Sequence, residues 1–495
     1  PAFKGQKREL TAQDYVYAYK RFADPALKSA NWSSVEEWHA IGLNELHEEA
    51  VKSKKPFDYD KAIEGLRTLD RYTFQIKLKQ PRPRFVEANL ATADLFGAVA
   101  REVADYYGSK IGDHPVGTGP FKLGDWRRSS LIALDKNPSY RERYYEAEPA
   151  ADDAEGQAIL ARFKGRRLPM VDRVEVSIIE EPQPRWLAFL GGDQDLIDTV
   201  PEEFINQAMP KGHVAPGLAA KGMKGYRTIA PDFHLTYFNM EDPVVGGYAP
   251  ERVALRRAMS LALDVNLELR NARRGQGMPA QGATVPHTSG YDASFKSEMG
   301  DYDPDKAKAL LDIYGFVDQD GDGWRDQPDG TPMELVCATQ ADGFTRSQDA
   351  LMQKNFQEVG LRVTFKTAQW PENLKAARAG KLQMWRFGSS ADTPDGQSGL
   401  ARLYGPQAGQ QNLARFKNAE FDRLYDDMMV LPDGPERDAK FFQAKRIAVA
   451  LMPYKFRLHR FLNDMTQPWL IGYRRPLFSQ NWWETVDIDL KLKPQ

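Results

Sequence analysis

Apolar and polar positions between Asp303 and Ala391 change period several times, and each change marks an element. The stretch "DPDKAKALLDIYG" puts Ala307, Leu310, Leu311 and Tyr314 at helical spacing, behind Asp303 as cap and Pro304 at the first helical position. Gly315 stops it. After an acidic loop, "MELVCAT" is a short apolar run that predicts a buried strand, and "SQDALMQKNFQEVG" repeats the helix signals as far as Gly360. "LRVTFKT" alternates as a strand, "PENLKAARAG" opens on Pro371 and closes on Gly380, and "QMWRFGS" is a third apolar strand. The order α-β-α-β-α-β predicts an α/β region with a mostly parallel sheet and right-handed crossovers.

The earlier part of the chain reads differently. "LTAQDYVYAYKRFADP" has Thr11 as cap, a helical run through Tyr15, Val16, Tyr19 and Phe22, and Pro25 to close it. "DRYTFQIKL" alternates as a half-buried strand, "GPFKLGDW" with "LIALDKNPSY" predicts a hairpin, and "VDRVEVSII" a further strand. This half is α+β in character. The segment "EAEPAADDAEGQAILARFKGRRLP", charged and without a clear period, is expected to be a long surface insertion. "LRRAMSLALDVNLELRNA", "FDRLYDDMMVL" and "AKFFQAKRIAVALM" predict amphipathic helices, and no internal repeat is present.

Composition narrows the function. At 495 residues the chain has room for two or three domains. Lys plus Arg number 67 against 69 Asp plus Glu, and a net charge of -2 gives no electrostatic case for nucleic acid or an anionic membrane. Hydrophobic content of 42%, charged content of 27% and the lack of a long apolar run predict a soluble globular protein. A single cysteine, Cys337, excludes an internal disulfide and is expected to be buried as a small hydrophobe. The N-terminal "PAFKGQKREL" shows no signal peptide, and residues are expected to be missing upstream.

The acidic loop "VDQDGDGWRDQPDG" has carboxylates at Asp318, Asp320, Asp322, Asp326 and Asp329, positions 1, 3, 5, 9 and 12 of an EF-hand loop, with Gly323 at position 6. Two positions depart: Asp329 replaces the terminal Glu, and Arg325 stands where a small apolar residue normally packs. An EF-hand needs helices on both sides, whereas here a helix enters and a strand leaves. The loop is expected to be a turn, with a structural calcium ion as the alternative.

Enzyme constellations are thin: no HExxH, P-loop or GxSxG motif occurs, and "GTGPFKLG" and "GQGMPAQG" lack the spacing of a dinucleotide loop. The sharper feature is "MWRFGSSADTPDG". Arg386 and Asp392 on one extended segment stand about 20 Å apart at about 3.3 Å per residue, the span of a short zwitterion. Gly388, Ser389 and Ser390 between them are small enough for another backbone to add to the strand. The alternative reading is two ordinary surface charges.

"RELTAQDYVYAYKRFADP", "LDRYTFQIKLKQPRPRF", "GTGPFKLGDW" with "DKNPSYRERYY", "VDRVEVSIIEEPQPRWLAFLGGDQDLI", "YFNMEDPV" with "ERVALRRAMSLALD", and "MWRFGSSADTPD" resemble, in this order, successive blocks of the family 5 extracellular solute-binding proteins. These are the oligopeptide- and dipeptide-binding components of ABC importers. The resemblance implies an α/β, two-lobed periplasmic-binding-protein fold (class II-like) with an additional α+β subdomain. It implies residues 1–175 as that subdomain, 176–235 with 455–495 as the first lobe, and 236–454 as the second, joined by a hinge near "APDFHLTYFN" and "YKFRLHRF". The family's N-terminal strands are absent from the sequence.

By the same resemblance, Asp392 would pair with a peptide's α-ammonium, Arg386 would serve the carboxylate of some ligands, and Gly388–Ser390 would pair with the peptide backbone. Ser389 stands where a Trp is often found, and Arg378 is a weak substitute for a second family Arg that would fall at Ala377. Trp385, Phe344 and Trp32 are the expected pocket aromatics. The implied protein is non-catalytic and needs no cofactor, a structural calcium aside. It would work as a monomer in the periplasm or cell envelope, delivering short peptides to an inner-membrane permease. The alternatives are a non-peptide ligand such as a nickel chelate, haem, an opine or an oligosaccharide, and, from another class, an α/β hydrolase.

Overall fold

Thr11 and Asp14 start the first helix, α1 (Ala12–Ala23): the Asp14 carboxylate accepts from the Thr11 N–H at 2.7 Å, so the first turn carries its own cap. The structure, a computed structural model, describes residues 1–91, 93–478 and 481–494. The chain forms two compact units, one of Pro1–Pro81, Phe85–Thr228 and Leu462–Gln495, the other of Arg82–Arg84 and Ile229–Phe461. The expected second region, 236–454, falls inside the latter.

In the first unit α1 buries Val16, Tyr19 and Ala23 against Trp38, Leu43, Leu66 and Phe96. β1 (Leu66–Thr68) and β2 (Phe74–Ile76) pair as a short antiparallel hairpin. β3 (Phe121–Arg127) and β4 (Leu131–Lys136) form the expected longer one. The segment expected to be a loose insertion folds instead: α2 (Ala154–Phe163) is capped by Asp153, whose carboxylate accepts from the Gly156 N–H at 3.0 Å. Phe163 is fully buried, its ring 5.6 Å from that of Tyr145, so one aromatic does the anchoring that a regular apolar stripe normally does. β5 (Arg173–Ser177) adds to β4, and β6 (Leu196–Ile197) and β7 (Lys224–Ile229) follow.

The second unit begins with β8 (Asp232–Phe238). The stretch "LRRAMSLALDVNLELRNA" is two helices, α3 (Pro250–Ala262) and α4 (Val265–Asn271), rather than one. Asp264 makes the break, accepting from the Leu267 N–H at 2.8 Å as the cap of α4. After β9 (Gly277–Pro279) come α5 (Pro304–Ile313), β10 (Leu335–Thr339), α6 (Gly343–Glu358), β11 (Val363–Thr367), α7 (Trp370–Arg378) and β12 (Met384–Ser390), the alternation expected from the sequence. α8 (Ala419–Val430), α9 (Pro435–Leu451) and β13 (Tyr454–Thr466) follow.

The sheet order within this unit is β11-β10-β12-β8-β13. Only β11, β10 and β12 are parallel; β8 pairs antiparallel with both β12 and β13, so the sheet is mixed rather than mostly parallel. Leu255, Met259, Leu311, Phe316, Cys337, Met352, Phe356 and Met384 fill the core beside it. The last part of β13 belongs to the first unit, where Met465 and Thr466 pair with Ile197 and Leu196 of β6. No helix among the described residues is long and apolar enough to cross a membrane.

Candidate functional site at the end of strand β12

β12 changes character halfway along. Met384, Trp385, Arg386 and Phe387 are buried, whereas Gly388 and Ser390 are exposed and Ser389 is half-buried. One edge pairs with β8 along its whole length, Gly388 facing His234, Ser389 facing Phe233 and Ser390 facing Asp232. On the other edge β10 reaches only Met384 and Trp385. Among the described residues no strand pairs with that edge from Arg386 to Ser390. The strand therefore offers an unpaired run of backbone donors and acceptors, ending at the exposed carboxylate of Asp392.

Gly388 is required by its neighbour, because a Cβ there would lie 2.8 Å from Cε1 of the His234 ring. His234 is fixed by Arg273, whose Nη2 stands 3.3 Å from Nδ1, and the Arg273 guanidinium lies 4.2 Å from the centre of the Phe344 ring at the start of α6. Burial, and then Arg273, push the imidazole well below its ordinary range, so it is neutral at pH 7. Phe344 is thus tied to the strand through Arg273 and His234.

Arg386 points elsewhere. Its guanidinium is buried on the Asp349 carboxylate, which also accepts from the Thr339 hydroxyl at 2.9 Å. The expected ligand-carboxylate role is not available to a side chain already paired inside the unit. Trp385 is fully buried, its ring 4.9 Å from Phe387 and 6.0 Å from Trp370, so it is a core residue rather than a pocket wall. Arg378 sits exposed in the last turn of α7, and its carbonyl accepts from Arg415 Nη2 at 2.6 Å. Trp32 belongs to the first unit, where it stacks on His47 at 4.3 Å. Of the nine expected ligand residues, Gly388, Ser389, Ser390 and Asp392 lie at the open strand end, and Phe344 is linked to it.

Sequence reading missed Arg402. Its Nη2 donates to the Ser389 hydroxyl, its guanidinium stands 5.8 Å from the Phe233 ring centre, and burial lowers its proton affinity while Asp392 raises it. A lone cation within the apolar "GLARLYG" was the available signal. His234 is one of seven scattered histidines, and nothing in its local sequence marks it out from a surface or packing residue.

The acidic loop leads from α5 to β10. Asp318 accepts from the Gly321 and Gly323 N–H groups at 2.7 and 2.9 Å, Asp320 from Asp322 at 3.1 Å, Asp322 from Trp324 at 2.8 Å, and Asp329 from Thr331 at 3.0 Å. Each closes a turn. Asp318, Asp320 and buried Asp326 bring carboxylate oxygens within 4.8 Å of one another, while Asp322 and Asp329 stay outside that group. Arg325, the residue out of place in an EF-hand, donates to Asp312 at 2.6 Å and to the carbonyls of Phe316 and Val359 at 2.5 and 2.7 Å, so it ties the loop to α5 and α6.

Comparison with known proteins gives the family and the fold. The family model described as bacterial extracellular solute-binding proteins, family 5 middle, matches residues 5–411. The di/tripeptide-binding protein 2 of Pseudomonas aeruginosa is 25% identical over 97% of this chain and 80% of its own length. Heme-binding protein A of Haemophilus influenzae is also 25% identical, over 98% of this chain and 78% of its own. The solved structure of the ABC transporter-associated periplasmic binding protein DppA from Helicobacter pylori, in complex with the peptide STSA, superposes with a TM-score of 0.74 at 22% identity, covering 98% of this chain and 82% of that one. The shared fold is α/β and two-lobed, that of the periplasmic binding proteins.

Proposed function

Since the chain belongs to the bacterial extracellular solute-binding proteins of family 5, we propose that its solute is a short peptide, taken up on the open edge of β12 and passed to the permease of an ABC importer. The observation that carries this reading is the unpaired edge from Arg386 to Ser390 running into Asp392. A peptide backbone laid along that edge completes the ladder that β10 leaves off, and its main-chain hydrogen bonds give affinity independent of side chains. Its α-ammonium meets the Asp392 carboxylate in a charge-assisted hydrogen bond. Relatives named for di- and tripeptides and for a bound tetrapeptide support the same class of ligand. The reading requires no bond to be made or broken, and the protein would work outside the cytoplasm, as a monomer.

The test is titration calorimetry of the full chain with Ala-Ala, Ala-Ala-Ala and N-acetyl-Ala-Ala-Ala. Free-amine peptides should bind and the acetylated one should not. Asp392→Ala should weaken the free-amine peptides by about 30-fold or more, the scale of an unpaired buried charge. Equal affinity for acetylated and free peptides would remove Asp392 from the site. Binding of haem but of none of the peptides would move the solute to the class for which the Haemophilus relative is named.

A further inference from the structure

Arg402, half-buried, is held more thinly than the fully buried cations of the second unit. Arg437 is paired with Asp395 at 2.9 Å, Arg457 with Glu268 at 2.6 Å and Arg386 with Asp349, while Arg256 and Lys455, which have no carboxylate among the described residues, each donate to two backbone carbonyls. Among the described residues no ion pair joins Arg402 to a carboxylate; its Nη2 donates to the neutral Ser389 hydroxyl, and the charge of Asp392 raises its proton affinity. A guanidinium held among Phe233, Val285 and Ala391 without a counter-ion has lost much of its hydration and regained little. That cost is recovered when an anion arrives.

The place where it would arrive is defined. Arg402 lines a hollow with Ser389, Ser390, Ala391, Phe233 and Val285 of about 10 Å³, room for roughly one oxygen atom. The hollow adjoins the open run of β12, between the Ser389 position and Asp392. A ligand whose ammonium is on Asp392 and whose backbone follows β12 brings its first residue beside this hollow.

We propose that Arg402 receives a ligand carboxylate lying within about one residue of the ammonium. This rests on the peptide reading and sharpens it: the preferred solutes carry an acidic first side chain, or are dipeptides whose own C-terminus falls at that point. One carboxylate oxygen would enter the hollow and take the guanidinium N–H now given to Ser389, in a charge-assisted hydrogen bond. Neutral ligands of the same shape leave the guanidinium as it is and gain nothing from it.

Calorimetry on the full chain separates the sources. Two matched pairs serve, Glu-Ala-Ala against Gln-Ala-Ala, and Ala-Ala against Ala-Ala amide. If the carboxylate is a side chain, the first pair differs by about 10-fold or more in favour of Glu; if it is the C-terminus, the second pair differs by a similar factor in favour of the free acid. In Arg402→Gln the ratio of affinities within the discriminating pair should collapse to about one, and Arg402→Lys should keep part of that ratio. Circular dichroism and the neutral ligand's affinity report whether each variant is folded. Neutral peptides binding the wild type without preference in either pair would overturn the Arg402 assignment and leave the peptide reading standing. An equal loss for all ligands in Arg402→Gln would overturn it too, by making Arg402 structural. Failure of all four peptides to bind would overturn both.

Discussion

Gly388 has no side chain because the His234 ring occupies the place where one would go, at the point where β12 and β8 face each other residue for residue. The same scale shows what sequence spacing can carry. Asp392 does stand exposed just past the end of β12, whereas Asp395, three residues on, is buried on Arg437, a difference that spacing does not carry. Nor does spacing give the partner of Arg386, because Asp349 stands 37 positions away on a helix and no local pattern joins them. Lys455 is another buried charge whose environment only the fold reveals: it donates to the carbonyls of Gly300 and Met299 at 2.7 and 3.2 Å, and burial drives it down from 10.5 to about 7. Below pH 7 the lysine is protonated in both folded and unfolded chains. Between pH 7 and 10.5 only the unfolded chain holds the proton, so stability rises with pH across that window. Urea unfolding of Lys455→Met and wild type at pH 6 and pH 9.5 should show the variant's relative advantage shrinking by about 3 kcal/mol at the higher pH. A difference that does not change with pH would place the lysine's folded value near its ordinary one.

Elements were legible where periodicity and punctuation agreed. α5, β10, α6, β11, α7 and β12 all follow from caps, glycine stops and alternation. α2 did not, because its apolar positions are few and an acidic run precedes it; Phe163 is its buried anchor, packed where Gly472, at φ +85°, leaves room for the ring, and Arg162 adds an ion pair to Asp489 at 2.9 Å. Phe163→Ala should therefore destabilise by about 3–5 kcal/mol, read as a fall in the calorimetric melting temperature. A change under about 0.5 kcal/mol would return this segment to the surface insertion first expected. The direction of pairing was the other gap: alternating helices and strands predict parallel neighbours, but β8 enters the sheet from before that alternation begins and runs antiparallel to β12. For the acidic loop, the backbone N–H groups already satisfy Asp318, Asp320, Asp322 and Asp329, and Arg325 anchors it. Melting with excess EDTA and with millimolar calcium should accordingly agree within about 1 °C. A calcium-dependent rise of several degrees would give Asp318, Asp320 and Asp326 to an ion.

At the scale of the whole molecule, collinear sequence blocks carried further than any motif, and the family match over residues 5–411 covers the same ground. The boundary between units falls a little outside the expected crossings, and Asp232 shows why. Its carboxylate takes Arg460 Nε at 2.5 Å and its carbonyl faces His459 Nδ1 at 2.5 Å, tying the start of β8 to the middle of β13 within the second unit. Hydropathy alone could not have placed that tie. The return of the last segment, Leu462–Gln495, to the first unit has a consequence for the order in which the protein takes shape. Thr199 N–H bonds the Asp464 carboxylate at 2.9 Å, Val200 N–H the Asn463 carbonyl at 2.7 Å, and Met465 fills the core around Trp186 and Phe189. A chain emerging amino end first offers β6 long before these partners exist. The second unit is one continuous run apart from Arg82–Arg84, already made by then, and has every residue it needs at Phe461. The part synthesised first is thus the part finished last, and until its closing strand arrives it must keep β6 and the Trp186 pocket from pairing with anything else.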